Sequence, residues 1–387
     1  MGIIKRIFIG LGIVLLAGVL GLLMTGNGHV LRGIRSTYLI GEKNPDIDDL
    51  GYFDLALIAA GNPRPWPISA DAAELGKSLF GADDSLETTA FILVQNDTIR
   101  AEYYAADGGV DVVSNSFSMA KSFTAMMIMR ACEQGYIQSL NDPVGKYLPE
   151  YQSGPDAHLT IQHLLQMTST IPFGESYSSP FGYMARAYFG NELQEETYRY
   201  HAEGSPGSRW SYEGGNTVLL GLILKAATGK SPSTYFGEEF WRPMGSEHAA
   251  FWNLDHEGGL EKVFSGYYAT ARDFARIGSL MLHHGVVGQD TLLSEASVAS
   301  LIAPCRVPDG LGETCTWYGS QWWIDGSENP RFFACRGMRG QYIICVPEHH
   351  LCIVRLGHRQ SKARIHHMPA DMLQYLNLAE KTLGLNR

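Results

Sequence analysis

No block of like charge and no basic stripe runs through this 387-residue sequence. Its 30 Lys and Arg and 40 Asp and Glu give a formal net charge of -10 that is spread along the chain. A nucleic-acid partner is therefore excluded, and an acidic sum of this size speaks to solubility. Charged residues are only 18% of the chain while apolar ones are 45%, which excludes general disorder and leaves enough apolar side chain for a large core. The six cysteines contain no C-x-x-C pair, and no H-E-x-x-H occurs, so zinc-type spacing is missing. The pairs His283-His284, His349-His350 and His366-His367 are adjacent residues that point apart, and they read as surface or loop histidines. No metal and no cofactor is expected. There is no internal repeat and no long linker. The 43 glycines and 17 prolines argue for many turns between short elements rather than a helical bundle.

One long apolar run is present. Ile7 to Met24 carries no charge and follows Lys5 and Arg6. Its 18 residues suit a bilayer-spanning helix. A cleaved signal peptide is the alternative, but its apolar core is usually shorter and ends in small residues, whereas this run ends in MTGNGHV. The leading positive charge places the N-terminus in the cytoplasm and the body outside it, in the periplasm of a Gram-negative host; Arg32 and Arg35 beyond the run weaken that polarity. Residues 1–30 are thus read as an anchor or signal segment. Residues 31–84 are a Gly-, Pro- and Asp-rich lead-in without a usable motif, and residues 85–387 are one catalytic unit. Cys305 and Cys315 flank a Pro- and Gly-bearing loop and form the expected disulfide pair, if any cysteines are joined.

From Thr89 the pattern sharpens. TAFILVQ and TIRAEYY flank Asn96-Asp97 as a hairpin. SFSMAKSFTAMMIMRACEQ has helix-forming content and stops at Gly135. Further helices are expected after Thr160, in NTVLLGLILKAAT before Gly229, in TARDFARIGSLMLHH before Gly285, and from about 370 to 383. TWYGSQWWI, RFFAC, QYIICVP and LCIVRLG are β-rich runs. Strands at both ends with helices between them predict an α+β architecture whose terminal strands share one antiparallel sheet.

Ser118 and Lys121 stand three apart at the start of a helix, on one face. A serine needs a base to become a nucleophile, and a lysine serves as that base only when neutral, a state that an apolar setting favours. The alternative is an N-terminal serine with a solvated lysine one turn on. Tyr212, in a Gly-rich turn before an apolar helix, is placed to carry a proton or simply to pack under a loop. Gly337 and Gly340 interrupt a β run near Gln341, which marks either close backbone approach to a ligand or a tight hairpin. Asp142 and Asp273 read as turn and ion-pair residues, and Trp322 and Trp323 as core.

Taken together, SFSMAKSFTA, LTIQHLLQMTSTIPFGESY, SYEGGNTVLLG, GYYATARDFARIGSLMLHHG and GMRGQYIICVPE resemble the serine β-lactamase and penicillin-binding-protein superfamily, in the branch of class C β-lactamases, related esterases and 6-aminohexanoate-dimer hydrolases. The resemblance runs from about 86 to beyond 347. It implies a β-lactamase/DD-peptidase-like fold, an antiparallel sheet flanked by helices with a mostly helical lobe at about 140–260. It also implies an acyl-enzyme on Ser118, activated by Lys121 and Tyr212, with oxyanion amides from Ser118 and from the strand near Gln341. Tyr177 matches the tyrosine that assists an amide leaving group. The departures are specific. Gly214 stands where the family has Asn in Tyr-x-Asn, with Asn216 as the nearby substitute. Cys335-Arg336-Gly337 replaces Lys-Thr-Gly, and Ser169-Thr170 replaces the Ser-Gly turn. These departures argue against an efficient β-lactamase and for a small-molecule ester or amide as substrate. The rival readings are a non-catalytic penicillin-binding-type module that docks a cell-wall peptide or a protein partner, and a membrane scaffold with an inert domain.

Overall fold

The structure is a computed structural model that describes residues 2–80, 84–327 and 330–385; the last residues of the predicted lead-in, 81–83, lie outside the described residues. The chain begins with α1 (Ile3–Met24), none of whose side chains is buried. After a three-residue turn, α2 (Gly28–Ser36) packs on the body. β1 (Leu55–Ile58) and α3 (Ala72–Leu79) follow, then the hairpin β2 (Thr88–Gln95) and β3 (Thr98–Tyr104), and β4 (Val113–Asn115), which leads into α4 (Met119–Glu133). The helical middle holds α5 (Ile161–Leu165), α6 (Tyr183–Phe189), α7 (Leu193–Thr197), α8 (Gly214–Thr228) and α9 (Pro232–Phe236). The chain returns through β5 (Ala250–Asn253), β6 (Tyr267–Thr270), α10 (Ala271–Leu282), the short pair β7 (Val286–Val287) and β8 (Asp290–Thr291), and α11 (Glu295–Leu301). It closes with β9 (Trp323–Ile324), β10 (Phe333–Gly337), β11 (Gln341–Val346), β12 (Leu351–Gly357) and α12 (Ala370–Thr382).

The central sheet is antiparallel, in the order β3-β2-β12-β11-β10-β9. The N-terminal hairpin therefore pairs with the C-terminal strands, as alternation and position predict. Both faces of β2 are buried. Ile92 and Val94 face the core under α4, α8 and α10, while Phe91 and Leu93 face a second core completed by α12 through Met372, Tyr375 and Leu376. Successive side chains of a strand point to opposite faces, so a sheet covered on both sides reads as a continuous apolar run. α10 lies close against the sheet because Gly278 has no side chain; a Cβ there would stand 2.3 Å from the Cys352 sulfur.

The segment from 31 to 84 is woven into this body. β1 pairs antiparallel with β5 at the edge of a second sheet, in the order β1-β5-β6-β4. The Asp49 carboxylate, buried at 2% exposure, accepts hydrogen bonds from the hydroxyls of Tyr188 and Tyr268 and from the Asn115 amide. Burial raises its pKa to about 6.

The expected disulfide is corrected. Cys305 and Cys315 are free thiols, as are the other four cysteines. The two lie on paired backbone, where the Cys305 amide donates to the Tyr318 carbonyl and the Arg306 amide to the Cys315 carbonyl. Backbone pairing already closes the loop that the spacing suggested a disulfide would close.

Candidate active site

Ser118 is the N-cap residue of α4, and β4 delivers it. The approach is strained. Phe117, 1% exposed, is held at φ +44, a left-handed conformation that costs a bulky residue free energy and persists only where its surroundings enforce it. The restraint is a set of hydrogen bonds. The Phe117 amide donates to the Asn115 side-chain oxygen at 2.9 Å, and the Ser116 amide donates to the Tyr267 carbonyl at 2.7 Å. The turn leaves the Ser118 amide without a hydrogen-bond acceptor among the described residues, at the positive end of a 15-residue helix.

Lys121, one turn on, is 1% exposed. Its Nζ stands 2.9 Å from the Ser118 hydroxyl oxygen and donates to the Phe264 carbonyl, also at 2.9 Å. Among the described residues no carboxylate pairs with it. The Tyr212 ring centre lies 5.2 Å from the same nitrogen. Tyr212 enters from the turn before α8, wedged edge-on against Tyr318 and beside Trp323. The structure thus brings Ser118, Lys121 and Tyr212 together from two separate parts of the chain. α4, α5 and α8 are knitted by Gln321, which sequence reasoning missed. Its side chain donates to the carbonyls of Leu164 and Leu165 and accepts from Thr217, while its carbonyl accepts from Ser122 at 2.6 Å. A lone glutamine between Ser320 and Trp322 gives no local signal of these contacts.

The strand edge fits against the serine turn. Gly337 sits so close to the Ser116 carbonyl that a Cβ would lie 2.2 Å from that oxygen. Gly340 occupies φ +83 in the following turn. Gln341 does not face the cleft. It is fully buried, its amide donates to the carbonyls of Met338 and Gly357, and its oxygen accepts from the Gly357 amide. The residue of this segment that borders the cavity beside Ser118 is Met338, in the turn between β10 and β11.

Two further expectations are revised. Asn216 does not take the place of the Asn missing at Gly214. Residues two apart on a helix point in different directions, and Asn216 is fully buried, its amide nitrogen 3.4 Å from the Met167 sulfur. A different group fills the space at Gly214: the Glu175 carboxylate accepts its amide at 2.6 Å and also the Tyr177 hydroxyl. The Tyr177 ring is half exposed while its hydroxyl end is enclosed near Glu175, and burial pushes the phenol up. Glu213 is pushed up to about 7, by burial first and then by the Glu175 charge. Arg336, at the centre of Cys335-Arg336-Gly337, lies flat over Trp323, its guanidinium carbon 3.3 Å from the ring centre, and donates to the His367 carbonyl. Burial lowers its pKa to about 10. Trp322 is fully buried, as expected. Asp142 pairs with Lys146, and Asp273, in the first turn of α10 behind its N-cap Thr270, pairs with Arg276.

A family model described as Beta-lactamase matches residues 81–375. The chain belongs to the beta-lactamase family. A curated relative, the 6-aminohexanoate-dimer hydrolase of Paenarthrobacter ureafaciens, is 24% identical over 300 residues, which cover 70% of this chain and 72% of that protein. A Bacillus anthracis structure provisionally described as a 6-aminohexanoate-dimer hydrolase superposes with a TM-score of 0.73 at 22% identity, covering 87% of this chain and 92% of that one. A family VIII carboxylesterase superposes with a TM-score of 0.65 at 16% identity, covering 82% and 99%. As a beta-lactamase family member, the chain has the α+β fold of β-lactamases and penicillin-binding proteins, and its family and relatives support a serine-hydrolase type of activity.

Proposed function

We propose that this beta-lactamase family member is a membrane-anchored serine hydrolase that cleaves an ester or amide through an acyl-enzyme on Ser118. One observation carries the reading. The Lys121 amine, buried and without a carboxylate partner among the described residues, stands 2.9 Å from the Ser118 hydroxyl. An amine in that setting accepts the serine proton as Oγ attacks the carbonyl carbon. The Ser118 amide, at the positive end of α4, faces the developing oxyanion, and the backbone at Met338 offers the second donor that the sequence had assigned near Gln341. Tyr212 relays the proton to the leaving group. Tyr177, held by Glu175, lines the cavity beside Ser118 and serves an amide leaving group. Water then releases the acyl group. Loss of the Lys-Thr-Gly lysine and of the Asn at Gly214 supports ester or linear-amide hydrolysis over β-lactam turnover.

α1 supports the anchor: 22 residues with none buried, an 18-residue stretch of mean hydropathy 2.8, and length enough to cross a bilayer. In this reading the catalytic body lies outside the cytoplasm. The test is p-nitrophenyl butyrate hydrolysis by the full chain and by Ser118→Ala, with intact-mass mapping of a fluorophosphonate adduct. We expect Ser118-dependent turnover and the adduct on Ser118. Equal rates, or an adduct elsewhere, would instead make the domain a binding module.

A further inference from the structure

The cavity beside Ser118 is small, about 60 Å³, and apolar: Phe117, Met184, Phe189, Phe264 and Met338 line it. Asn44, Pro45, Tyr177, Ala185 and Phe189 also line a second groove, of about 320 Å³. That groove runs along α2, where Val30, Gly33, Ile34 and Tyr38 form its wall. α2 starts three residues after the apolar helix α1 ends, and the Asn27 amide donates to the Leu22 carbonyl across the junction. With α1 across a bilayer, as proposed above, the end of the groove at His29 and Val30 lies beside the point where the chain leaves the membrane.

α2 is fixed to the wall of the active site. The His29 ring nitrogen is 2.8 Å from the Pro180 carbonyl, the Arg186 side chain donates to Asn27 at 2.8 Å, and Gly33 packs on the Phe189 ring, where a Cβ would lie at 3.2 Å. The rim beside the groove is apolar and exposed: Tyr38 at 66%, Leu39 at 74% and Phe181 at 54%. Arg35 and Lys43 are exposed there, and neither makes an ion pair among the described residues. Apolar side chains with unpaired cations beside them suit the boundary between acyl chains and lipid phosphates.

We propose that the groove along α2 is an acyl-chain channel, and that the substrate is a long-chain acyl ester or amide drawn from the bilayer in which α1 sits. This rests on the serine-hydrolase and anchor readings above and names the substrate class for them. The carbonyl lies at Ser118 and the acyl chain runs past Ala185 and Phe189 toward Ile34. Ser118 Oγ bonds to the acyl carbon as the bond to the leaving oxygen or nitrogen breaks. The leaving group departs with the serine proton. Water then cleaves the acyl-enzyme, yields the free fatty acid and restores the serine hydroxyl.

The experiment uses the full chain in phosphatidylcholine vesicles with p-nitrophenyl esters from butanoate to hexadecanoate. The expected result is a kcat/KM ratio of dodecanoate to butanoate of at least about tenfold, cut at least fivefold in each of Ile34→Trp and Ser179→Trp, since both residues line the groove and a tryptophan at either fills it. Ser118-dependent butanoate turnover that declines with chain length, or a ratio untouched by both variants, overturns the channel while leaving the hydrolase intact. Absence of any Ser118-dependent turnover sinks the hydrolase reading instead. Photolabelling with a phosphatidylcholine that carries a diazirine in its acyl chain then still decides the groove. Adducts within 30–45 and 177–189 support it, and adducts confined to 3–24 overturn it.

Discussion

Two lysines in this molecule are equally hidden, and their neighbourhoods differ in what they leave free. Lys121 and Lys262 are each 1% exposed. The Lys262 Nζ donates to the carbonyls of Ala187, Tyr188 and Gly190, so all three of its protons close off the end of α6. Burial pushes its pKa down to about 7, and it does so without touching a reacting group. Lys121 has one carbonyl, one hydroxyl and an aromatic ring around it. A buried amine whose protons are all spent on backbone is a structural clamp. One that faces a serine hydroxyl is, in the function proposed above, the base. Burial alone does not separate structure from chemistry; the partner atom does.

The comparison breaks most visibly in a paired replacement. Lys121→Met should lower Ser118-dependent ester hydrolysis by at least about 10³-fold while leaving the melting temperature nearly unchanged. Lys262→Met should leave that hydrolysis measurable and instead lower stability by about 1–3 kcal/mol, because three buried carbonyls lose their donor. Rates and thermal melts on both variants read the contrast, and matching phenotypes would erase it. A second variant perturbs the reacting side through geometry alone. Gly337→Ala puts a methyl 2.2 Å from the Ser116 carbonyl. The strand edge and the serine turn must then separate, and an error of about 1 Å there should cost about 10²-fold in kcat.

The smallest effect sharpens the structural side. His358 stands between Asp46 at 2.8 Å and Asp107 at 3.0 Å, and ties the 31–84 segment to the end of β12. The hydrogen bond to Asp46 raises its pKa from 6.5 to about 9. A raised histidine pKa contributes stability that is fully present below 6.5 and is lost as pH climbs through 9. Denaturant melts between pH 6 and 10 should show a decline of about 1 kcal/mol after solvent screening, and His358→Gln should flatten it.

Much of this was legible in the chain itself. The hairpin around Asn96-Asp97, the helix after Ser118, the stops at Gly135 and Gly229 and the continuous apolar runs of β11 and β12 follow from local periodicity and turn chemistry. What failed were the inferences about side-chain direction. Asn216 has suitable chemistry near a suitable motif, yet it points into the core, since two residues along a helix reverse the face presented; the Gln341 side chain is buried too, though only a backbone amide near it was expected to serve. Glu175 carried no signal, because it meets Gly214 only after the intervening 38 residues have folded.

The sequence by itself determined the α+β order, the three-residue spacing that puts Ser118 and Lys121 on one helical face, and the apolar N-terminal run, because each depends on neighbours along the backbone. Only the tertiary structure decided that Tyr212 reaches Lys121, that Gly337 touches the serine turn and that the cysteines stay unbonded. It also decided that the cavity at Ser118 and the groove along α2 share the walls formed by Asn44, Pro45, Tyr177, Ala185 and Phe189. Each of these is a distance between residues far apart in sequence, set by how buried surfaces pack and not by any local preference.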